Sequence, residues 1–165
     1  REALEAVAGA PCLGFRRARL AATDRGAIEA AGYRYNSSEN PIYLPGRYNH
    51  FFDRRTAYWT GSLLNVPISA TPVVRFPLFW LAFKNFPLAS IRAASAWTLR
   101  HDGYLNVFFH PWEFTDLSAW DLPRVVKGID GRAMLDRLER DLRWLGGRGR
   151  FLTFAEFDAA RRAAR

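Results

Sequence analysis

A histidine stands where an apolar segment ends, within residues 104–114 (YLNVFFHPWEF). The aromatic and β-branched residues before His110 predict a short, buried β-strand. Pro111 cannot donate a hydrogen bond to a neighbouring strand, so the strand is expected to end at His110. Active sites of α/β folds assemble at the carboxyl ends of parallel strands. Because histidine exchanges a proton near neutral pH, His110 is a candidate for acid–base catalysis.

The elements that must position this histidine alternate along the chain as strands and helices. Short strands are predicted at residues 12–15, 33–36 and 63–69, and the main helices at residues 23–31, 88–97, 130–145 and from 153 onward. Three turn-forming clusters between residues 37 and 61 predict a long irregular excursion, which in a compact domain is more often functional than idle. The alternation indicates βα units, a parallel sheet and a single α/β domain.

Length and composition narrow the class of protein. A chain of 165 residues with 49% hydrophobic residues can form one domain with a core, which excludes a disordered chain. No segment approaches the ~20 apolar residues that a membrane-spanning helix needs. Cys12 is the only cysteine, so an internal disulfide and a cysteine-based zinc site are both excluded.

The net charge of +8 raises the question of nucleic-acid binding. The basic residues are nearly all arginines, however, and they are spread along the chain instead of forming one basic block. This pattern does not favour a nucleic-acid interface, and no nucleic-acid partner is expected. A basic nucleic-acid-binding α/β module remains the less favoured alternative.

Three segments, in this order along the chain, resemble motifs of the polysaccharide deacetylase (NodB-homology) family of metal-dependent carbohydrate esterases. Residues 14–18 (GFRRA) and 32–38 (GYRYNSS) are similar to the family's GFRxP segment and the GYRYDSS stretch that follows it. Residues 64–69 (LNVPIS) are similar to its EVPVS strand, and residues 109–113 (FHPWE) match one version of its last motif.

The resemblance implies a single partial domain over residues 1–165, the C-terminal portion of a distorted (β/α)7 TIM-like barrel. Residues 151–157 (FLTFAEF) fit the closing strand and helix, whereas Ala18 and Asn65 stand where the family has proline and often an acid. Family members begin with a Thr-Phe-Asp-Asp segment and an His-x-x-x-His pair, which supply the base and the metal ligands. Neither motif occurs in this sequence. We therefore expect the N-terminal part of the domain to be missing and the chain alone to be inactive, without a bound metal.

For the intact protein the resemblance implies a hydrolase that removes an N-acetyl or related acyl group from an amino sugar. The substrate would be a polysaccharide or glycolipid, and the bond a carbon–nitrogen bond other than a peptide bond. A divalent metal, expected to be zinc, would polarise the acyl carbonyl and activate water. By position in the motifs, His110 would protonate the sugar nitrogen, and Arg16 would orient the catalytic aspartate and keep it ionised. No metal ligand is predicted in this chain.

Four further residues are predicted to bind the substrate. Trp112 can stack on a sugar ring or pack against the loop that follows it, and Glu113 can bind a hydroxyl or hold His110. Phe108 can line the acyl pocket, with core packing as the alternative, and Tyr35 is a candidate for the groove. A metal pair formed by His110 and Glu113 is disfavoured, because the proline between them argues against a helix that would bring both side chains to one face.

The expected partners are a carbohydrate substrate and the missing N-terminal part of the same domain. The aromatic stretch from Phe76 to Phe86 is interpreted as core or as a cover over the barrel, or, if exposed, as a contact with a membrane surface. A non-catalytic glycan-binding relative of the same fold is the main alternative to the enzyme. The localisation is unknown, with the bacterial cytoplasm and the cell envelope as candidates.

Overall fold

The computed structural model describes residues 1–44 and 48–165. The helices are α1 Glu2–Ala8, α2 Arg25–Ala30, α3 Trp80–Asn85, α4 Leu88–Asp102, α5 Arg124–Lys127, α6 Gly131–Gly146 and α7 Phe154–Ala163. The strands are β1 Gly14–Phe15, β2 Tyr35–Asn36, β3 Tyr43–Leu44, β4 Tyr48–Asn49, β5 Tyr58–Thr60 and β6 Leu63–Asn65. Short 3₁₀ helices cover Ala18–Leu20 and Pro111–Phe114.

Four short strands form a mixed sheet in the order β1–β2–β6–β5. Strands β1, β2 and β6 are parallel, as the alternation of elements predicts, whereas β5 is antiparallel to β6. Gly61 lies in the tight turn of this hairpin and takes the positive φ of 54° that such turns favour. The predicted α/β class is confirmed. The sheet is mixed because the excursion after Ser37 returns to the sheet as β5.

Inside that excursion, β3 and β4 form a separate antiparallel pair. Two of the three predicted turn-forming clusters are residues 44–46 and 47–49, and their residues 45–47 lie outside the described residues. The core begins at β6, where Leu63 and Leu64 are fully buried, and continues through Ile68. Helix α3 packs over this segment, since Ile68 and Phe79 belong to the same apolar cluster. The start of α3 and the segment that follows β6 therefore share one apolar cluster, which Phe108 also contacts.

Residues 104–110 run extended but do not form the predicted strand. Their backbone contacts are isolated ones: the Ser69 amide donates to the Asn106 carbonyl at 2.8 Å, and the Trp80 amide donates to the Phe108 carbonyl at 3.2 Å. The neighbouring segment is rich in prolines, which have no N–H to donate, so a regular ladder cannot continue. The prediction of a core strand was wrong, because these residues do not form a hydrogen-bonded ladder. The segment does end at His110, as predicted.

The Asn106 side chain replaces part of the missing ladder. Its Nδ2 donates to the carbonyls of Val66 at 3.1 Å and Pro67 at 3.0 Å, and to Ser37 Oγ at 2.9 Å. The Asn106 amide donates to Ser69 Oγ at 2.8 Å. One buried side chain thus ties the segment before the histidine to the ends of β2 and β6.

Replacing Asn106 with alanine should destabilise the fold by about 1–3 kcal/mol, because buried acceptors lose their donor. The matched control is Val107→Ala on the same extended segment, where the side chain is exposed and the expected change stays within about 0.5 kcal/mol. Urea unfolding of both variants measures the two values. Equal effects at the two positions would show that the Asn106 contacts do not hold the segment.

The aromatic stretch from Phe76 to Phe86 is folded mainly into the core. Phe79 and Phe83 are each 4% exposed and belong to neighbouring apolar clusters. Phe86 is 47% exposed, with Phe76 packed edge-on against it at 5.0 Å. Most of the apolar side chains that would have to meet a membrane therefore point inward. Within residues 1–44 and 48–165, no helix has both the length and the apolarity to cross a bilayer.

Helix starts follow the local sequence closely. Thr153 and Glu156 have the spacing that predicts a capping box, and α7 begins with one. Thr153 Oγ1 accepts from the Glu156 amide at 3.2 Å, and Glu156 Oε2 accepts from the Thr153 amide at 2.7 Å. Asp24 caps α2, one residue later than the predicted Thr23. Residues 151–152 form a loop and not the expected closing strand, because no described strand lies beside them to pair with.

Candidate functional site

The segment after His110 forms one turn of 3₁₀ helix, Pro111–Phe114, with His110 as its N-cap. Proline is favoured at the first helical position because the N–H that it lacks has no partner there anyway. In a 3₁₀ turn, residues three apart lie on one side. The expectation that the proline would prevent a helix was therefore wrong, and His110 and Glu113 face each other.

His110 and Glu113 form a hydrogen-bonded pair. Glu113 Oε1 accepts from the His110 backbone amide at 2.9 Å and from His110 Nδ1 at 2.6 Å. The Glu113 side chain is fully buried, whereas that of His110 is 41% exposed. Because an ionised carboxylate only accepts, Nδ1 carries the proton and Nε2 is left for a ligand. Two roles were predicted for Glu113, binding a hydroxyl group or holding His110. The structure shows that Glu113 holds His110.

Lys84 lies beside this pair and was not recognised as a site residue from the sequence. It is 2% exposed, its Nζ has no hydrogen-bond partner among the described residues, and Nζ lies 5.4 Å from the centroid of the Trp112 ring. Glu113 Oε2 is also buried without a partner. The sequence signal was a single lysine inside an apolar run, and its burial depends on α3 packing against α5.

Burial dominates the electrostatics of both groups. Desolvation raises the pKa of the Glu113 carboxyl above its ordinary value, although the His110 hydrogen bonds and the Lys84 charge oppose the shift. Desolvation likewise lowers the pKa of Lys84, opposed by the charges of Glu113 and Asp130. Folding thus favours the neutral form of each group. Such buried ionisable pairs occur more often at functional sites than elsewhere.

Aromatic rings surround the histidine. The His110 ring stacks on Trp112 with centroids 5.4 Å apart and planes 21° apart. Trp80 and Phe108 contact it edge-on at 5.6 and 5.4 Å. Trp80 also packs edge-on against Trp112 at 5.4 Å. By sequence alone Trp80 belonged to a stretch interpreted as core or as a cover over the barrel, and only the fold of α3 brings it to the histidine.

Arg16 follows β1, and its side chain extends toward the aromatic rings beside His110. One of its guanidinium nitrogens, Nη2, donates to Ser37 Oγ at 2.8 Å, and the group lies over the rings of Phe108 and Phe154 at 5.6 and 5.9 Å. Although Arg16 is an exposed residue, desolvation by the groups packed around it lowers the pKa of its guanidinium. No carboxylate among the described residues pairs with it. Its predicted partner, an aspartate, therefore remains a prediction.

These side chains border one cleft of about 670 Å³, which we call the aromatic cleft. Four of the six predicted site residues line it. The lining residues are Arg16, Arg17, Ala18, Arg19, Leu20, Asn40, Leu44, Phe79, Trp80, Leu81, Phe108, Phe109, His110, Trp112 and Val126. A histidine, cations and apolar rings therefore border one open cleft, which is a suitable arrangement for binding a sugar and protonating a group on it.

The other two predicted site residues do not line the cleft. Glu113 lies beneath its surface and acts through His110. Tyr35 stacks on Phe154 at 5.6 Å and lies directly over Gly14, where an added Cβ would come within 1.9 Å of the Tyr35 ring. Tyr35 thus supports the ring on which Arg16 rests instead of facing a ligand. Glycine is required at position 14 because the tyrosine occupies the space of a side chain.

Within residues 1–44 and 48–165, no group of three or more His, Cys, Asp or Glu side chains is arranged to hold a metal ion. The donor set that the resemblance calls for is therefore not offered by the described residues, and the metal of the intact protein stays a prediction. The aromatic cleft must be interpreted from its own side chains, because no family model, curated protein or solved structure matches this chain.

Proposed function

We propose that the aromatic cleft is the proton-donor side of a site that hydrolyses an acyl amide on an amino sugar. The observation that carries the proposal is the His110–Glu113 pair at the border of a cleft lined by tryptophan rings. A buried carboxylate that holds Nδ1 leaves Nε2 facing a ligand, which is the arrangement of a positioned general acid. The substrate class is an N-acetylated or similarly acylated polysaccharide or glycolipid.

In this hydrolysis, a water oxygen bonds to the acyl carbon and loses a proton to the aspartate base that the resemblance implies, and the carbon–nitrogen bond breaks. The leaving nitrogen needs a proton, which His110 Nε2 supplies, while Glu113 keeps the ring oriented and stabilises the imidazolium before transfer. Trp112 and Trp80 line the cleft and offer apolar ring surface to the sugar. Arg16 lies over Phe108, which contacts His110, and it would orient the catalytic aspartate that the resemblance implies.

The resemblance supports a divalent metal, with zinc expected, which would supply an activated water in the intact protein. The described residues offer no set of ligands for it, so none of the steps above depends on it. We also propose that the chain belongs to the C-terminal part of a distorted (β/α)7 barrel. The parallel strands β1, β2 and β6 and the site at their ends support that assignment.

Glycan binding without hydrolysis is the second candidate. It is favoured by the two tryptophans that line the cleft, Trp80 and Trp112, because aromatic rings can bind sugars without any acid. Under this alternative, His110 would only complete the aromatic surface. The two functions differ in whether the acyl group leaves.

The experiment that separates them uses the intact protein with N-acetylchitotetraose and measures acetate release and the new free amine. Release of both products in equal amounts is expected. Binding without release, measured by calorimetry on the same sample, would overturn the hydrolase in favour of the glycan-binding protein. Absence of both binding and release would overturn both candidates for this sugar class.

A further inference from the structure

Lys84 is a buried cation beside the His110–Glu113 pair, and no step of the proposed hydrolysis uses it. The residue that follows α5, Gly128, packs against Lys84, since a Cβ added to the glycine would lie 3.3 Å from Lys84 Cβ. Lys84 Nζ has no hydrogen-bond partner among the described residues, and Glu113 Oε2 is also buried without one. Two ionisable groups are thus held away from water with hydrogen-bonding capacity unused.

Stability does not account for this arrangement. Removing opposite charges from water commonly costs more than their mutual attraction returns, so a buried ion pair is a weak source of stability. Neither Lys84 nor Glu113 lines the aromatic cleft, so direct contact with a ligand does not account for it either. A buried charge next to the group that holds a histidine can still act on that histidine.

Two neighbours connect Lys84 to His110. The first is Glu113, whose Oε1 accepts from His110 Nδ1 at 2.6 Å and whose carboxylate interacts electrostatically with the Lys84 ammonium. The second is Trp112, because Nζ lies 5.4 Å from the centroid of its ring and the same ring stacks on His110 at 5.4 Å. A change of charge at Lys84 therefore acts on the groups that hold the imidazole in place.

The charged groups around the pair set the direction of this effect. Glu113 interacts with His110 and Lys84, and Lys84 interacts with Glu113 and Asp130. Desolvation raises the pKa of Glu113, so burial favours the neutral carboxyl group, whereas the His110 hydrogen bonds and the Lys84 charge favour the carboxylate. A neutral carboxyl group would stabilise an imidazolium less than a carboxylate does. Asp130 in turn favours the charged form of Lys84.

We infer that Lys84 is a positioning residue of the proposed hydrolysis, which acts through Glu113. Its ammonium keeps Glu113 ionised, and the carboxylate holds Nδ1 and stabilises the imidazolium from which Nε2 gives its proton to the leaving nitrogen. The catalytic part of this inference rests on the proposed function. The control of Glu113 by Lys84 rests on the buried contacts alone.

The first test measures kcat of acetate release from N-acetylchitotetraose between pH 5 and pH 9, with the intact protein and its Lys84→Met variant. We expect kcat to fall about tenfold on the acid side of the profile and to recover as pH rises, because Glu113 takes up a proton at a higher pH without the cation. Lys84→Arg should restore part of the loss, since it keeps the charge. Loss by the same factor at every pH would overturn the inference in favour of a structural role.

A second test asks whether Lys84 acts through Glu113. In a Glu113→Gln background, Lys84→Met should change kcat by no more than about twofold, because the carboxylate on which it acts is already gone. An equal loss in both backgrounds would overturn the inference. The control is Lys127→Met on α5, whose ammonium donates to the Ser118 carbonyl and which should leave the pH profile unchanged. Circular dichroism verifies that each variant is folded.

The third test needs no substrate. The Glu113 carboxyl carbon of the intact protein is followed by ¹³C NMR as pH is varied, and its signal is assigned by its loss in Glu113→Gln. Its titration midpoint should move to higher pH in Lys84→Met. An unchanged midpoint would overturn this inference even in a protein that releases acetate. A shifted midpoint without any acetate release would support the control of Glu113 and refute the proposed hydrolysis instead.

Discussion

Replacing His110 with alanine in the intact protein should reduce the rate of acyl release by ~10²–10⁴, the usual contribution of a general acid. The substrate should still bind, because Trp80, Trp112 and the arginines of the cleft are unchanged. The loss is therefore expected in kcat with KM nearly constant. Steady-state measurement of acetate release with N-acetylchitotetraose gives both parameters.

The chain contains a matched control for this variant. His50 and Asp53 also form a histidine–carboxylate pair three residues apart, with His50 Nδ1 and Asp53 Oδ2 separated by 2.9 Å, but both side chains are exposed and lie outside the aromatic cleft. His50→Ala should leave kcat unchanged. If His110→Ala were also fully active, the acid role would be refuted. A loss confined to KM would instead make His110 a binding residue.

The second large effect concerns stability. Replacing Lys84 with methionine and Glu113 with glutamine in one variant should stabilise the fold by about 1–4 kcal/mol at pH 7, because two buried charges are replaced by neutral side chains of similar shape. Glutamine keeps an acceptor for the His110 amide and Nδ1. Activity should fall in the same variant, since the carboxylate that stabilises the imidazolium is gone.

The stability of the fold should depend on pH because the pKa values of Glu113 and Lys84 are shifted on folding. The pKa of Glu113 is raised above its ordinary value of 4.5, so its contribution to stability is present below that pH and is lost as pH rises through the folded pKa. The pKa of Lys84 is lowered below 10.5, so its contribution is recovered only as pH rises from the folded pKa toward 10.5. The double variant should therefore gain the most stability near neutral pH, between the range where Glu113 is protonated and the range where Lys84 is neutral.

Urea unfolding between pH 4 and pH 10 measures this difference. The controls are Lys127→Met, at the only other lysine, and Asp53→Asn in the exposed histidine pair. Each should change the free energy of unfolding by no more than about 0.5 kcal/mol. The single variants complete a cycle, and their effects should fall short of the double variant because each leaves the other charge without its partner. A double variant less stable than the wild type would show that the pair holds the fold together.

Local sequence patterns predicted much of the framework. The capping box at Thr153, the helix that follows Asp130 and the short strands near Phe15, Tyr35 and Leu64 are present close to the predicted positions. These features depend on residues that are near each other in the chain. Residue type and spacing are therefore enough to predict them. The strand predicted before His110 does not form. Its hydrogen bonding depends on the proline-rich segment beside it, which is distant in sequence.

The sequence by itself determined that a histidine, a tryptophan and a glutamate follow an extended apolar segment, and that an arginine follows the first strand. It also determined the α/β class. Only the tertiary structure decided that Trp80 contacts the histidine, that Tyr35 stacks on Phe154 and does not line the cleft, and that Lys84 is buried beside Glu113. The reason is physical: burial and desolvation depend on which distant segments pack together, and that packing turns His110 from a residue at the end of a segment into a group held by a buried carboxylate.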